Sequence, residues 1–243
     1  MCDSLVGKTI DNFRLLEVIG EGGMGCVYRA LDEKMDRTVA VKVIRRRFGN
    51  FSLREGRALG QLNHPNIVNV FYMDEFDDGV FIAMEYVQGR TLNHFKQIPI
   101  HEALALLKQS LLALEHAHQA GVIHRDIKPS NIMVTDRGAI KVMDFGLARV
   151  NSGDPNRTVT RIQAGTVNYM SPEQIRGLHH VDHRSDIYSL GKAFYEILAG
   201  RLPFNTSDSD QFDIWKMIVE VKFKPPSHFN RAIPRGVDRI IMK

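Results

Sequence analysis

The sequence contains very little cysteine, the residue that marks disulfide-rich and many metal-binding proteins. Only two of its 243 residues are cysteines, Cys2 and Cys26, and they lie far apart in different local contexts. This pattern predicts neither a disulfide framework nor a metal-ligand spacing. A reducing, cytoplasmic setting is the expectation that follows from so little cysteine.

Long apolar runs are also missing. No run of about 18 apolar residues occurs, so this chain is expected to contain no membrane-spanning segment, although a longer native chain could be membrane-anchored. The first residues lack the basic and then apolar pattern of a signal peptide. The net charge of +4, from 32 basic and 28 acidic residues, is too weak and scattered to indicate nucleic-acid binding.

The sequence does have the composition of a globular protein, with 44% hydrophobic and 25% charged residues. The spacing of the apolar residues predicts a small β-rich half followed by a larger helical half. The predicted strands cover residues 13–19, 27–30, 39–44, 67–73 and 80–84. The predicted helices cover residues 54–62, 100–119, 186–199 and 215–221, and another helix begins near residue 233.

Polar residues are concentrated in residues 124–131, which read His-Arg-Asp-Ile-Lys-Pro-Ser-Asn, and Asp144-Phe145-Gly146 follows soon after. Asp126 can accept a hydroxyl proton, and Lys128 beside it can steady a phosphate group. Asn131 and Asp144 offer the oxygen ligands that Mg²⁺ prefers. The blander alternative is a basic surface loop beside an unrelated turn.

A glycine cluster lies between the first two predicted strands. Gly20, Gly22 and Gly25 precede Val27 in the pattern G-x-G-x-x-G-x-V. Dinucleotide-binding folds use a similar spacing, and a plain glycine-rich turn is a further alternative. Because Val27-Tyr28 begins another strand rather than a helix, the pattern favours a β-hairpin that covers phosphates.

Together these motifs resemble the catalytic domain of eukaryotic-type (Hanks-type) serine/threonine protein kinases, and their wording is similar to bacterial members. The resemblance covers roughly residues 10–243 and implies an α+β, bilobal fold. It divides the chain into a lead-in (1–12), a β-rich N-lobe with one main helix (13–84), a hinge (85–89) and a mostly helical C-lobe (90–243). The C-lobe is expected to be truncated, with its last helices missing.

The resemblance implies an enzyme that transfers a phosphoryl group from ATP to protein serine or threonine, with Mg²⁺ or Mn²⁺ as the metal. It assigns catalytic roles to Asp126 and Lys128, metal ligation to Asn131 and Asp144, and phosphate binding to Lys42. Lys42 is expected to pair with Glu55, and Thr166 to hydrogen-bond with Asp126 and Lys128. The nucleotide-binding residues that it implies are Ile19, Gly20, Gly22, Gly25, Val27, Ala40, Lys42, Met84, Glu85, Val87 and Met133.

A switch is also predicted in the loop that follows Asp144. Thr158 and Thr160 are the expected sites of autophosphorylation, for which the chain would self-associate. Arg125 is expected to clamp the phosphate, with Lys141 and Arg149 as further candidates.

Two other functions stay open at this point. One is a pseudokinase or scaffold that binds a nucleotide or a partner without turnover, and the other is a small-molecule phosphotransferase on the same fold. The C-terminal region lacks the arginine that pairs in relatives with the glutamate at position Glu173. If Glu173 is buried, the loss of that partner is expected to cost roughly 3–5 kcal/mol of stability.

Overall fold

The structure is a computed structural model, and it describes residues 2–22, 25–45, 59–76, 79–145, 166–177, 181–204, 211–220 and 222–243. Its strands are β1 (Thr9–Ile10), β2 (Phe13–Gly22), β3 (Gly25–Asp32), β4 (Arg37–Arg45), β5 (Val70–Phe76), β6 (Gly79–Glu85), β7 (Gly89–Thr91), β8 (Ile132–Thr135) and β9 (Ile140–Val142). The α-helices that lie completely within the described residues are α1 (Ile100–Gln119), α2 (Pro172–Ile175), α3 (Arg184–Ala199), α4 (Gln211–Glu220) and α5 (Arg235–Ile241).

The N-terminal half forms an antiparallel six-stranded sheet in the order β1-β2-β3-β4-β6-β5. The five predicted strands are all present, but the run predicted at 67–73 begins its regular pairing only at Val70. Ile67 and Val68 are buried, and Ile67 makes an isolated bridge to Val142. Their apolar character therefore reflects burial in the core that joins the two halves, not membership of β5.

The lead-in is more ordered than the sequence predicts. β1 pairs with β2, and the sulfur atoms of Cys2 and Cys26 form a disulfide across a sequence separation of 24 residues. The prediction that the two cysteines do not pair is therefore wrong. Sequence distance was misleading because the β2–β3 hairpin brings Cys26 back beside the start of the chain. The inference of a reducing setting depended on that prediction and is therefore no longer supported.

The C-terminal half is mostly helical, as predicted. α1 has the predicted bounds, and α3 ends at Gly200, whose φ of 76° is the left-handed conformation that favours glycine at a helix end. Of the helix predicted at 54–62, the structure describes residues 59–62, in which Leu59 and Leu62 are buried. The bilobal α+β fold is confirmed. Within the described part of the chain, no helix is long and apolar enough to cross a membrane.

One core connects both halves and lies beneath the cleft between them. It includes side chains from β4 and β6, from α1 and α3, and from the residues around Asp144. A second cluster covers the opposite face of the sheet, where Cys2, Phe13 and Tyr28 pack together. The two faces of β3 therefore meet different environments, because Val27 packs against the first core and Tyr28 belongs to the second.

A lysine is buried in the helical half, on α3. The ammonium of Lys192 lies 5.2 Å from the ring of Tyr188, 4.9 Å from that of Phe204 and 5.9 Å from that of Phe223. Its Nζ atom has no hydrogen-bond partner within the described residues. Burial lowers the pKa of Lys192 to about 7, because removing the ammonium from water disfavours its charged form.

Replacing Lys192 with methionine is expected to raise the free energy of unfolding by about 3 kcal/mol near pH 7. The folded wild type binds this proton more weakly than the unfolded chain, so its stability should rise as the pH increases from about 7 towards 10. The variant should lack that rise. Urea denaturation across this pH range measures both effects, with the exposed Lys222→Met as the control. Equal pH slopes for wild type and Lys192→Met would contradict the prediction.

Candidate active site

The predicted catalytic residues meet in the loop that precedes β8. The Asp126 carboxylate accepts from Lys128 Nζ at 2.9 Å and from Asn131 Nδ2 at 3.1 Å. Asn131 Nδ2 also donates to the backbone carbonyl of Asp126 at 2.8 Å. Because the amide nitrogen is engaged in this way, the Asn131 side chain can offer its oxygen to a cation. The three side chains thus form one polar group around the Asp126 carboxylate.

Asp144 supplies the second acidic centre, beyond β9. Lys42 Nζ lies 2.7 Å from Asp144 Oδ1, and this lysine is only 12% exposed. Burial alone would raise the pKa of Asp144, but the charge and hydrogen bond of Lys42, with the charge of Lys128, outweigh burial and lower it. Asp144 is therefore ionised at neutral pH. The ionised carboxylate of Asp144 and the amide oxygen of Asn131 are ligands of the kind that a hard divalent cation such as Mg²⁺ prefers.

The backbone of the catalytic loop is fixed by Asp186, which the sequence analysis did not identify. This carboxylate is 1% exposed and accepts from the amides of His124 at 2.8 Å and Arg125 at 2.7 Å. His118 Nε2 lies 2.8 Å from the same group. Burial would raise the pKa of Asp186, but the hydrogen bond from His118 and those from the two loop amides lower it. Arg125 can consequently hold a left-handed backbone with φ of 67°.

His124 connects the loop to the segment after β9 that carries Asp144. Its ring is fully buried, with Nδ1 accepting from the amide of Asp126 at 3.2 Å and Nε2 donating to the carbonyl of Met143 at 2.7 Å. These two partners assign the neutral tautomer with the proton on Nε2. The ring also packs against Phe145, with 4.6 Å between centroids. His124 therefore sets the spacing between Asp126 and Asp144.

A capping box at the start of α2 supports the same loop. Ser171 and Gln174 exchange side-chain and backbone hydrogen bonds around the first turn. Gln174 Nε2 also donates to the carbonyl of Arg125 at 2.7 Å. This contact was missed in the sequence, although the spacing Ser-x-x-Gln was a usable signal for the cap itself.

Glu173, between those two residues, is half-buried rather than buried. Ser185 Oγ donates a short hydrogen bond to its carboxylate. Burial would raise the pKa of Glu173, but this hydrogen bond and others nearby lower it. The loss of stability that was expected for a buried Glu173 without a partner therefore does not apply, because Ser185 is its partner.

The glycine cluster forms a β-hairpin, as predicted. Gly20 pairs with Val27 and Gly22 with Gly25 across β2 and β3, while residues 23–24 lie outside the described residues. Gly25 is required by packing, because a Cβ there would lie 1.9 Å from the carbonyl oxygen of Val43. A Cβ on Gly22 would meet no atom within 4 Å, so the hairpin stays open on that side.

The apolar residues predicted to surround a nucleotide lie below this hairpin. Ala40 and Met84 are buried in the main core, and Val27 and Val87 pack against it. Met84 also lines a small pocket that reaches Asp144 and Phe145. Met133 is half-buried on β8, and Ile19 at the edge of the hairpin is 44% exposed.

Glu85 at the end of β6 is held by contacts with Lys141 and Asn69. Its carboxylate accepts from Lys141 Nζ at 2.7 Å, from the Asn69 amide at 3.3 Å and from Asn69 Nδ2 at 3.4 Å. Its backbone amide donates to the carbonyl of Asn69 at 2.9 Å. The amide of Glu85 is therefore already used within the fold, so this residue cannot offer it to a nucleotide. The side chain of Lys141, a candidate for the phosphate clamp, pairs with Glu85 at the hinge, and its part in a clamp stays a prediction.

Replacing Lys141 with methionine is expected to raise the KM for ATP about tenfold, which corresponds to roughly 1.4 kcal/mol of binding free energy. The change leaves the Glu85 carboxylate without its cation and loosens the hinge, while the catalytic loop keeps its contacts. Initial rates at varied ATP concentration measure the effect, and Lys108→Met on the exposed face of α1 is the matched control. A KM equal to that of the control would rule out this role for Lys141.

Several predicted residues cannot be placed. Glu55, Arg149, Thr158 and Thr160 lie outside the described residues, and so does the side chain of Thr166, whose backbone begins a 3₁₀ turn. The pair between Lys42 and Glu55 and the threonine switch therefore stay predictions.

An antiparallel sheet above a helical lobe, with the Asp-Lys-Asn loop and a second aspartate that pairs with Lys42 of the sheet, is the arrangement of a protein-kinase catalytic domain. The chain belongs to the protein kinase family, since the family described as "Protein kinase domain" matches residues 13–242. That family uses ATP and a divalent metal in general.

Curated relatives are similar over nearly the whole chain. A probable serine/threonine-protein kinase of Clostridium perfringens is 40% identical over 98% of this chain. The serine/threonine-protein kinase PrkC of Bacillus subtilis is 39% identical over 98%, and PknB of Mycobacterium leprae is 40% identical over 96%. The chain spans 36% to 39% of the length of these three relatives.

Proposed function

We propose that this chain transfers the γ-phosphoryl group of ATP to serine and threonine hydroxyls of proteins. The observation that carries the proposal is the convergence of Asp126, Lys128 and Asn131 in one hydrogen-bonded group, with Asp144 and Lys42 paired across the cleft. Each type of group that phosphoryl transfer requires is present: a proton acceptor, cations for the phosphates and oxygen ligands for a metal.

In this mechanism Asp126 orients the acceptor hydroxyl and takes its proton. Lys128, already 2.9 Å from Asp126, neutralises charge that develops on the transferred group. Lys42 exchanges its contact with Asp144 for the α- and β-phosphates. Asn131 and Asp144 hold the metal, which we propose to be Mg²⁺ with Mn²⁺ as a substitute, and which shields phosphate charge when bound. The carbonyl of Glu85 and the backbone of Val87 orient the adenine.

The substrate class rests on several residues. A lysine two positions after Asp126, followed by Pro129, is typical of the serine/threonine-specific branch of the family. Helix α2 lies beside the catalytic loop, because Gln174 donates directly to the carbonyl of Arg125, and the turn Thr166–Tyr169 precedes this helix in the chain. This arrangement suits a platform for a peptide better than a pocket for a small metabolite.

The test is incubation of the purified chain with γ-labelled ATP and a general protein acceptor, in Mg²⁺, in Mn²⁺ and in chelator. Phosphoamino-acid analysis should find label on serine and threonine with either metal and none in chelator. Asp144→Asn, which removes the ionised metal ligand, is the inactive control. Nucleotide binding without label in any metal would overturn the proposal and favour a pseudokinase.

We further propose that two molecules of this chain associate and phosphorylate each other on Thr158, Thr160 or both. Replacing both with alanine is expected to lower activity at least about tenfold, because losing a charge-assisted hydrogen bond to a phosphate costs roughly 1.5–3 kcal/mol. Activity after preincubation with ATP is the measurement, with Thr206→Ala as the control outside that loop. Full activity in the double variant would exclude the switch.

A further inference from the structure

The disulfide between Cys2 and Cys26 joins the start of the chain to the glycine-rich hairpin. Cys26 follows Gly25 directly at the beginning of β3, and the Cα atoms of the two cysteines are 5.8 Å apart. Cys2 is 4% exposed and belongs to the cluster on the outer face of the sheet. The bond therefore reaches the hairpin close to its glycine-rich turn.

Side chains alternate along β3, so the bond and the cleft use opposite faces of the strand. Cys26 packs with the outer cluster, whereas its neighbour Val27 packs against the core beneath the cleft. The disulfide consequently leaves the nucleotide side of the hairpin clear. It can change how the hairpin moves without occupying the site that the hairpin covers.

Hydrogen bonds hold the two cysteines together without the sulfur–sulfur bond. Tyr28 Oη, which is fully buried, donates to the carbonyl of Cys2 at 2.8 Å. The amide of Gly7 donates to the carbonyl of Leu15 at 2.8 Å, and the amide of Leu15 donates to the carbonyl of Lys8 at 2.9 Å. The reduced cysteines would therefore stay adjacent, which is what a reversible pair needs.

We propose that Cys2 and Cys26 are a reversible thiol–disulfide site that tethers the glycine-rich hairpin and sets its affinity for nucleotide. The oxidant is a small disulfide such as oxidised glutathione. The thiolate of Cys26 attacks one of its sulfur atoms and releases one glutathione thiolate. The thiolate of Cys2 then attacks the mixed disulfide, releases the second glutathione thiolate and closes the bond, so two cysteine thiols are oxidised and one disulfide is reduced.

The entropy of the hairpin predicts how oxidation changes the affinity for nucleotide. A tethered hairpin has already lost part of the freedom that it must lose when it closes over phosphates, so the oxidised chain should bind nucleotide more tightly. This inference rests on the proposed function, because it takes the hairpin to be the nucleotide cover.

The experiment uses the full chain equilibrated in buffers with a wide range of reduced-to-oxidised glutathione ratios. Alkylation and mass spectrometry count free thiols, and calorimetry with Mg²⁺ and a non-hydrolysable ATP analogue gives Kd without turnover. The oxidised chain should have no free thiol and a Kd about three- to tenfold lower than the reduced chain. Cys2→Ser should bind like the reduced wild type in every buffer.

Two results would overturn the tether. One is an equal Kd in both states while phosphoryl transfer persists. The other is a chain purified without reductant in which the two cysteines are not oxidised and bind one zinc ion. Zinc is the alternative because the sulfur atoms of Cys2 and Cys26 and a carboxylate oxygen of Glu21 lie within 4.8 Å of one another. A redox-dependent Kd without phosphoryl transfer would overturn only the proposed function.

Discussion

Replacing Asp126 with asparagine is expected to lower the rate of phosphoryl transfer by about 10²–10⁴-fold. Asparagine has nearly the same shape and keeps an oxygen for Lys128, but it cannot take the proton of the acceptor hydroxyl. ATP affinity should change little, because Asp126 contacts other members of the loop and is not among the nucleotide-binding residues. Steady-state kinetics and nucleotide titration of the same protein sample measure the two effects separately.

The matched control for this substitution is Asp136→Asn, which makes the same chemical change at an exposed turn between β8 and β9. That variant should retain the wild-type rate. If Asp126→Asn lost less than tenfold in rate, proton acceptance by Asp126 would contribute little and the lysines and metal would carry the chemistry.

Replacing Asp186 with asparagine is expected to lower the free energy of unfolding by about 2–4 kcal/mol and to lower activity with it. The carboxylate accepts the amides of His124 and Arg125, and an asparagine can offer only one oxygen to them. One buried amide would then lose its acceptor, and the left-handed Arg125 would lose part of the support that holds it. Urea denaturation measures the stability and the initial rate measures the activity.

The pH dependence gives an independent check on Asp186. Its pKa is lower in the folded chain, so its contribution to stability is present above the unfolded value of about 3.9 and is lost as the pH falls through the folded value. Asp186→Asn should therefore lose less stability than the wild type on acidification below about pH 4. Asp182→Asn, an exposed residue just before α3, is the control. Identical acid transitions in wild type and Asp186→Asn would contradict this account.

Local chemistry made the centre of the site predictable. Asp126, Lys128 and Asn131 lie within six residues, so a single loop brings them together. These residue types indicate phosphoryl transfer. The glycine-rich hairpin was equally accessible, because the residue types on each side of the turn indicate strands. In both cases the information lies in a short stretch of sequence.

The supporting contacts were not predictable in this way. Asp186 acts on the loop across 61 residues, and Glu85 meets Lys141 across 56. Asp186 stands at the start of an otherwise apolar helix, but only the structure shows that it is buried and which amides it accepts from. The contact between Lys141 and Glu85 could not be predicted, because strand pairing between β8 and β9 decides where the Lys141 side chain points. Cys2 and Cys26 were misjudged for the same reason.

The contacts of Glu85 also have a consequence for inhibitor chemistry. Its carboxylate is neutralised by Lys141 and its amide is used by Asn69, so in the proposed adenine site a competing compound would meet Glu85 only through its carbonyl. A compound that presents a donor there should gain affinity, and one that presents an acceptor should be rejected. Because the Met84 side chain is buried behind this point, selective compounds would have to grow towards the solvent side near Val87.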